Sequence, residues 1–201
     1  MCLRHPTLLN LDFNLSPLDT LHDVSRSEEY KNTDFEFNLK ATLNNLREEI
    51  RKNYNRHVSL GDLLMDRWET ASFYGFGEGT SCYNNVLIIG DVKVGKHSWI
   101  GPNVILDGSG GLTIGDYASI SAGAQIYTHD TVAWSTSRGR EPIAKSPTII
   151  GDGVYIGPNS VIQKGLTLGN GAIIGAMSFI NSNVPDGAKA FGSPAKIYPG
   201  L

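Results

Sequence analysis

An aliphatic side chain returns at every sixth residue through most of the second half of this 201-residue chain. The series shifts by two residues after the glycine-rich segment 107–113, and it breaks for longer before Ile150. A helix is excluded, because a period of six does not keep one stripe on one helix face at 3.6 residues per turn. The series consists of Ile88, Val94, Ile100, Leu106, Leu112, Ile114, Ile120, Ile126, Ile150, Ile156, Ile162, Leu168, Ile174 and Ile180.

This period predicts a coil of short flat strands, each about one repeat long. The aliphatic residues point inward, and successive turns stack them into a ladder at a spacing of about 4.8 Å. Glycine often follows the aliphatic residue, and we expect the chain to bend at these glycines because a positive φ is cheap there. The glycines concerned are Gly95, Gly101, Gly115, Gly151, Gly157, Gly169 and Gly175.

The repeat stops between Ile126 and Ile150, where prolines and charges replace the ladder. A stacked coil can extrude such a segment as a loop, predicted here over residues 130–147, because each turn contacts only its neighbours. His129 is the last residue before the departure, held by a strand on one side and facing the loop on the other, a position that suits a catalytic base. Trp134, within the loop, is suited either to stack on a sugar or to pack against a neighbouring subunit.

The remaining sequence predicts four regions. Residues 1–38 read as irregular, residues 39–80 as a helical cap, residues 86–185 as the repeat domain and residues 186–201 as a tail. An apolar stripe formed by Leu39, Leu43, Leu46 and Ile50 marks the first helix, and Ser59 is the expected N-cap of a second helix over residues 59–73. We expect the helices and the tail to cover the two open ends of the coil.

Composition excludes several classes of protein. With 17 basic and 20 acidic residues, net charge -3, the chain lacks the basic patch that nucleic acid requires, so no nucleic-acid partner is expected. No segment has the roughly 18 apolar residues of a membrane span, and the N-terminal residues lack a signal-peptide pattern, which indicates a cytoplasmic protein. Cys2 and Cys82 lie outside the predicted repeats without CxxC spacing and are expected to be free thiols.

The repeats, the segment IYTHDTVAW at residues 126–134 and AFGSPAKI at residues 190–197 resemble the hexapeptide-repeat acyltransferase family. The similarity is to maltose and galactoside O-acetyltransferases, and more closely to those associated with bacterial surface polysaccharides. It implies a mainly β protein: a left-handed parallel β-helix with three repeats per triangular turn, an extruded loop and an N-terminal helical region. It also implies a homotrimer with active sites between subunits.

The resemblance implies a function too: transfer of an acetyl group from acetyl-CoA to a hydroxyl of a saccharide, with His129 as the general base and with neither a metal nor an acyl-enzyme. Asn103 matches a residue that touches the acceptor, although it also suits an ordinary polar corner. At Asn181, Ser182 and Asn183 this chain departs from the Thr-Lys-Asp that relatives often carry. The positions that match donor-binding residues are Pro158, Ala176, Asn181, Ser182 and Lys196.

Three other functions remain open at this point. An N-acyltransferase acting on the amine of a sugar nucleotide would use the same fold and donor. A non-catalytic β-helix scaffold would keep the ladder but would have no need of a histidine at the mouth of the loop. A β-helix carbonic anhydrase is disfavoured, because it needs three zinc-binding histidines and the repeat domain contains two, His97 and His129.

Overall fold

The computed structural model describes residues 34–200, which form parts of two compact units, Met1–Asn45 and Leu46–Leu201. The four helices are α1 (Asp34–Tyr54), α2 (Leu60–Leu64), α3 (Arg67–Phe73) and α4 (Val132–Thr136). Helix α1 begins at Asp34 rather than at Leu39, and the rest of the predicted irregular segment lies outside the described residues. No residue of α1 is buried, although the structure describes this helix in full. Its predicted apolar stripe is therefore at most half-buried.

The predicted second helix is two helices. The side chain of Ser59 accepts a hydrogen bond from the amide of Asp62, so Ser59 is the N-cap of α2 as expected. Helix α2 ends at Leu64 with Met65 as its C-cap, and Asp66 caps α3 by accepting hydrogen bonds from the amides of Trp68 and Glu69. The Glu69 side chain accepts from the Asp66 amide in return, which completes a capping box. A second cap within the segment is what divides it.

The remaining elements are short strands. They are β1 (Ser81–Cys82), β2 (Leu87–Val94), β3 (Trp99–Ile100), β4 (Ile105–Ile114), β5 (Ser119–Ile120), β6 (Gln125–Ile126), β7 (His129–Asp130), β8 (Ala144–Lys145), β9 (Thr148–Ile150), β10 (Tyr155–Ile156), β11 (Val161–Ile162), β12 (Thr167–Leu168), β13 (Ile173–Ile174), β14 (Phe179–Ile180), β15 (Lys189–Gly192) and β16 (Ala195–Tyr198).

Except for β7, β8 and β16, these strands wind into a left-handed parallel β-helix with three faces, as predicted. The first face stacks β1, β3, β5, β10, β13 and β15, which gives about six turns. The second stacks the first halves of β2 and β4 with β6, β11 and β14, and the third stacks their second halves with β9 and β12. Three repeats make one turn, as the pairing of Ser81 with Trp99 and of Tyr155 with Ile173 illustrates.

The aliphatic ladder fills the interior. Twelve of its fourteen members are at most 2% exposed, and Val94 is 7% exposed, whereas Ile88 at the start is only partly buried. The ladder begins one repeat earlier than predicted, because Cys82 pairs with Ile100 and is fully buried. The expectation that Cys82 lies outside the repeats was wrong, since a cysteine is small and apolar enough to fill an inward position. Cys2 lies outside the described residues.

The glycines that follow the ladder residues have a different role from the predicted one. Gly95 and Gly157, for example, do not have a positive φ. A Cβ at Gly157 would lie 2.5 Å from the backbone nitrogen of Ala176 in the next turn, so glycine is required there because the two backbones approach closely. The positive φ angles at these corners fall two residues later, as at His97 and Asn159.

Other elements cover both ends of the coil. At the N-terminal end α3 packs against β1, and Ala71 and Phe76 join the buried core. The amide of Asn84 donates a hydrogen bond to Asp62, which ties α2 to the first turn. At the other end β15 turns back into the antiparallel strand β16, the last strand of the first face. Among residues 34–200 no helix is both long and apolar enough to cross a lipid bilayer.

Candidate active site

The interruption of the repeat forms a small hairpin at the corner between the second and third faces. The chain leaves the coil after Tyr127, and β7 pairs with β8 in antiparallel orientation, with His129 opposite Lys145. Helix α4 lies between these two strands. The amide of Ser146 then donates to the carbonyl of Thr128 at 2.9 Å, and the ladder resumes. His129 is therefore fixed at the base of the hairpin, where the coil holds it.

A second irregularity lies in the turn before. The pairing of β2 with β4 changes register after Gly90, so that Val92 pairs with Leu112 rather than with the residue two earlier. This is the two-residue shift seen in the sequence. Asp107 directly precedes Gly108, the last β4 residue in the regular register, and it is fully buried. A carboxylate therefore lies inside the protein, just before the bulge and at the corner from which the hairpin departs.

The Asp107 carboxylate fixes His129 through hydrogen bonds to the imidazole ring and to the backbone beside it. Its Oδ2 atom lies 2.6 Å from Nδ1 of His129 and accepts hydrogen bonds from the amides of His129 at 3.1 Å and Thr128 at 2.8 Å. Its Oδ1 atom accepts from the amide and the hydroxyl of Ser109, at 3.0 and 2.6 Å. The carboxylate is thus surrounded by donors, and it fixes the imidazole ring in one orientation.

These contacts keep the Asp107 carboxylate ionised and fix which ring nitrogen of His129 carries the proton. Burial alone would raise the pKa of Asp107, but hydrogen bonds from Ser109, Thr128 and His129 outweigh burial and hold this pKa well below its ordinary value. An ionised carboxylate can only accept hydrogen bonds, so Nδ1 of His129 carries the proton. In the neutral ring Nε2 is then left with a free electron pair, which is the arrangement of a general base.

The sequence analysis did not identify Asp107, although a signal was present. Leu106 and Ile126 occupy the same position in successive turns. Asp107 therefore follows the ladder one residue after Leu106, in the turn directly before the one that ends at His129. A charged residue next to a ladder position, just before the two-residue shift of the repeat, indicates a buried polar group with a specific partner.

His129 opens into a cavity of about 420 Å³. Tyr127, Val161 and Phe179 give it an apolar wall on the second face of the coil. Polar groups come from the hairpin and from Gln163 in the next turn. This cavity is the one that suits chemistry, because among the described residues it contains the only histidine that is hydrogen-bonded to a buried carboxylate. The cavity suits a ligand that is partly apolar and carries hydrogen-bonding groups.

An ion pair closes one side of this cavity. Nζ of Lys164 lies 3.0 Å from Oδ2 of Asp130, so it links the coil to the first residue of the hairpin after His129. Lys164, followed by the Val132 amide, lowers the pKa of Asp130. The pair leaves little net charge at the mouth of the cavity.

The acceptor-site candidates lie apart from this cavity. Asn103 has a φ of 57° and exchanges hydrogen bonds with Asn85 in the preceding turn, which is the ordinary corner role. It is not among the residues that line the cavity. Trp134 lies on α4, is 49% exposed and packs beside Gly139 of the same hairpin. Their predicted contacts with an acceptor stay predictions.

The donor-site candidates fall into two groups. Pro158 and Ala176 stack at the corner between the first and second faces, since the amide of Met177 donates to the Pro158 carbonyl. Lys196 lies on β16 and pairs with Phe191 of β15, in the hairpin that ends the first face.

Asn181 and Ser182 belong to the corner between the second and third faces, from which the hairpin at His129 departs. They are exposed and directly follow β14, whose Ile180 carbonyl accepts from the amide of Gln163. They therefore lie one turn beyond the residues that line the cavity at His129. Two of the five predicted donor positions are thus close to the candidate base along the coil, and the structure separates the other three from it by the width of one face.

Comparison with known proteins supports the fold. Residues 147–182 match the family described as bacterial transferase hexapeptide (six repeats). A hexapeptide-repeat-containing acetyltransferase from Vibrio cholerae O1 biovar eltor, solved with acetyl coenzyme A, superposes with a TM-score of 0.61 at 25% identity, over 82% of this chain and 88% of that one. AntD, an N-acyltransferase from Bacillus cereus solved with dTDP and 3-hydroxybutyryl-CoA, gives 0.57 at 22% identity, over 62% and 71%.

Among curated proteins, a 2,3,4,5-tetrahydropyridine-2,6-dicarboxylate N-acetyltransferase of Staphylococcus aureus (strain JH9) is 47% identical over 57 residues. The match covers 28% of this chain and 24% of that protein, so the chain spans about a quarter of the length of such relatives. The repeats and the three-faced coil show a left-handed β-helix built of hexapeptide repeats, and residues 147–182 are similar to the hexapeptide transferase family. The predicted resemblance to hexapeptide-repeat transferases is confirmed.

Proposed function

We propose that the protein is an acyltransferase that moves an acetyl group from acetyl-CoA to a hydroxyl group of a saccharide, in keeping with surface-polysaccharide synthesis. The observation that carries this proposal is the 2.6 Å contact between His129 and the buried Asp107 at the edge of a cavity. A sugar hydroxyl is a weak nucleophile near neutral pH, so its attack on a thioester gains most from a positioned base. The solved complexes of similar folds with acetyl-CoA or another acyl-CoA support the donor.

The reaction follows from the protonation of the pair. Nε2 of His129 takes the proton of the acceptor hydroxyl as its oxygen attacks the thioester carbonyl carbon. The tetrahedral intermediate collapses, the carbon–sulfur bond breaks, and the departing thiolate of CoA receives the proton from Nε2. Asp107 acts as a positioning residue, because its negative charge stabilises the imidazolium that exists between these two proton transfers. The acetyl group passes directly from donor to acceptor.

No cysteine is among the described residues that line the cavity at His129. Cys82 is the described cysteine, and it is fully buried in the first turn of the ladder. Burial, with Asp62 nearby, raises the pKa of its thiol to about 12. A thiol that stays protonated is a poor nucleophile, so an acyl-cysteine intermediate is disfavoured.

A second candidate is transfer to the amine of a sugar nucleotide. The specific observations in its favour are the likeness to AntD, solved with dTDP, and the local identity to an N-acetyltransferase. A neutral amine attacks a thioester without a base and needs proton removal only afterwards. The elaborate hydrogen bonding of Asp107 to His129 therefore favours the hydroxyl.

The two candidates are separated by one assay. Acetyl-CoA is incubated with the protein and with three matched acceptors: a neutral hexose oligosaccharide, the corresponding amino sugar, and a dTDP-linked amino sugar. CoA release identifies the acceptor, and treatment of the product with mild alkali separates an ester, which is cleaved, from an amide, which survives. Release of CoA with the neutral acceptor and an alkali-labile product supports O-acetylation. An alkali-stable product made with an amino sugar would establish the second candidate instead.

Assembly as a homotrimer is also a proposal, based on the family resemblance. Outward-facing apolar residues support it, because Leu87 is 52% exposed and Ile149 is 48% exposed on the faces of the coil. Light scattering at micromolar protein concentration tests it. A mass near three times 21.8 kDa is expected, and a monomeric mass would contradict the proposal.

A further inference from the structure

One corner of the coil, between the third and first faces, repeats the same left-handed backbone conformation in six successive turns. The residues at this position are Gly79, His97, Tyr117, Gly153, Gly171 and Gly187, with φ angles from 54° to 73°. Their equivalence is shown by their hydrogen bonds: each amide from His97 to Gly187 donates to the carbonyl just before the matching residue of the previous turn. Glycine is the natural residue for such angles, and a large side chain there is strained.

The two ring-bearing residues form a short stack along this corner. The His97 ring fills the space that a Cβ would take at Gly79. The Tyr117 ring lies on the next turn, with ring centroids 5.0 Å apart and planes inclined at 29°. Tyr117 remains 66% exposed. One face of its ring is thus covered by His97, and the opposite face looks along the corner towards the following turns.

The following turns have no side chain at this corner position. A Cβ placed at Gly153 or at Gly187 would meet no heavy atom within 4 Å. At Gly171 the nearest atom is the Cα of Gly187, at 4.0 Å. The corner therefore forms a shelf with a glycine floor, from Gly153 to Gly187, that begins at the open face of Tyr117. Turns about 4.8 Å apart leave room for flat rings to continue the stack.

Three aspartates and one asparagine border the shelf. Asp116, Asp152, Asn170 and Asp186 immediately precede the corner residues, and each of the first three donates its amide to Oδ1 of the next. The exposed aromatic side chain of Tyr155 lies on the adjoining face. Lys96 stands at the other end, beside His97. Carboxylates repel phosphate groups and accept hydrogen bonds from hydroxyl groups, so the border favours an uncharged, hydroxyl-rich ligand over a nucleotide.

We propose that this shelf is a binding site for a neutral saccharide, separate from the cavity at His129. A pyranose ring stacks its apolar C–H face on the open face of Tyr117 above Gly153, and its hydroxyls donate to Asp152 and Asp116. Further sugar units extend over Gly171 and Gly187. The shelf and the hairpin leave the coil at different corners, so the shelf anchors a chain rather than presenting its reacting hydroxyl to His129.

Saturation-transfer NMR with maltohexaose and cellohexaose as probes tests this site. The wild-type protein is expected to bind at least one of them at millimolar concentration. Tyr117→Gly removes the stacking ring and weakens this binding by about fivefold or more, and it should fold because four other turns have glycine at this position. Gly153→Asn fills the shelf with a residue that tolerates the left-handed conformation, and it is expected to abolish binding.

Matched controls separate the shelf from other surfaces. Met177 also has a left-handed φ, of 55°, but it lies on the corner between the first and second faces. Met177→Gly removes its exposed side chain, and oligosaccharide binding should be unchanged. His129→Ala should also bind as the wild type does, even if every acyl transfer is lost.

Several results would overturn the proposal. One is failure of the wild-type protein to bind either oligosaccharide. Another is unchanged binding in both Tyr117→Gly and Gly153→Asn. Tighter Tyr117-dependent binding of dTDP-glucose than of the neutral probes would refute the ligand class. Loss of oligomers in Tyr117→Gly, measured by sedimentation, would show that a second copy of the chain covers the corner instead.

Discussion

Nδ1 of His129 lies 2.6 Å from Oδ2 of Asp107, a carboxylate that is fully buried one turn earlier in the coil. Two irregularities of the repeat meet at this contact: the bulge that follows Gly108, one residue after Asp107, and the hairpin that begins at His129. Each alone would be a tolerated defect in a stacked coil. Together they place a charged acceptor behind an imidazole ring at the edge of a cavity, which is an arrangement for proton transfer.

The first prediction concerns Asp107→Asn. An amide at this position presents a donor to groups that themselves donate, and it no longer stabilises an imidazolium or fixes the proton on Nδ1. The turnover number is expected to fall by roughly 10²- to 10³-fold. Stability at neutral pH should fall by about 2 kcal/mol, because buried hydrogen bonds from Thr128 and Ser109 are lost or weakened.

The pH dependence of this loss distinguishes the charge from mere packing. The pKa of Asp107 is lowered in the folded protein, so its stabilising effect is complete above the ordinary aspartate pKa of about 4 and is lost as the pH falls further. Chemical denaturation should therefore show a difference in unfolding free energy between wild type and Asp107→Asn that is present at neutral pH and narrows as the pH falls below about 4. A gap that widens in acid would contradict the assignment.

The second prediction concerns Lys164→Met. Without this lysine, Asp130 is an uncompensated negative charge next to His129, and the hairpin loses its tie to the coil. Amide exchange in residues 129–145 is expected to accelerate, and kcat/KM to fall by about fivefold. Lys164→Arg should restore most of the loss. Lys93→Met, which breaks the exposed pair with Asp91, serves as the control and should leave both quantities unchanged.

The third prediction tests the ladder itself with two adjacent isoleucines on β13. Ile174 points inward and is fully buried, whereas Ile173 points outward and is 41% exposed. Ile174→Ala should lower the free energy of unfolding by about 2–5 kcal/mol, because it leaves a cavity between two turns. Ile173→Ala should lower it by less than about 1 kcal/mol. Equal losses in the two variants, measured by urea denaturation, would mean that the alternation is misassigned.

The sequence was sufficient to predict the coil because its rule is local. Each turn contacts only its neighbours, so fourteen aliphatic residues at one spacing define the interior without knowledge of the rest of the chain. Cys82 was not predicted to belong to the ladder because it is not an aliphatic residue, although it lies six residues before Ile88. The departure of the chain after Ile126 was visible for the same reason, as the point where the spacing ends.

The partner of His129 could not be read so directly. The contact with Asp107 depends on how two turns of unequal length stack, since the bulge adds two residues to one turn. The role of the glycines was misjudged for a related reason. Whether Gly157 needs a positive φ or a close neighbour is decided by the backbone of the next turn, at Ala176, and this is a property of the stacked structure rather than of the repeat unit.

The central claim is that His129 is the base for acetyl transfer, and its most direct test is the turnover of His129→Ala with acetyl-CoA and the acceptor identified in the panel assay. A fall in kcat of roughly 10²- to 10⁴-fold is predicted, or about 3–5 kcal/mol of barrier. Thermal unfolding should confirm that the variant is folded, and His57→Ala, at an exposed histidine, should remain active. A folded His129→Ala protein that keeps more than half of the wild-type turnover would contradict the account.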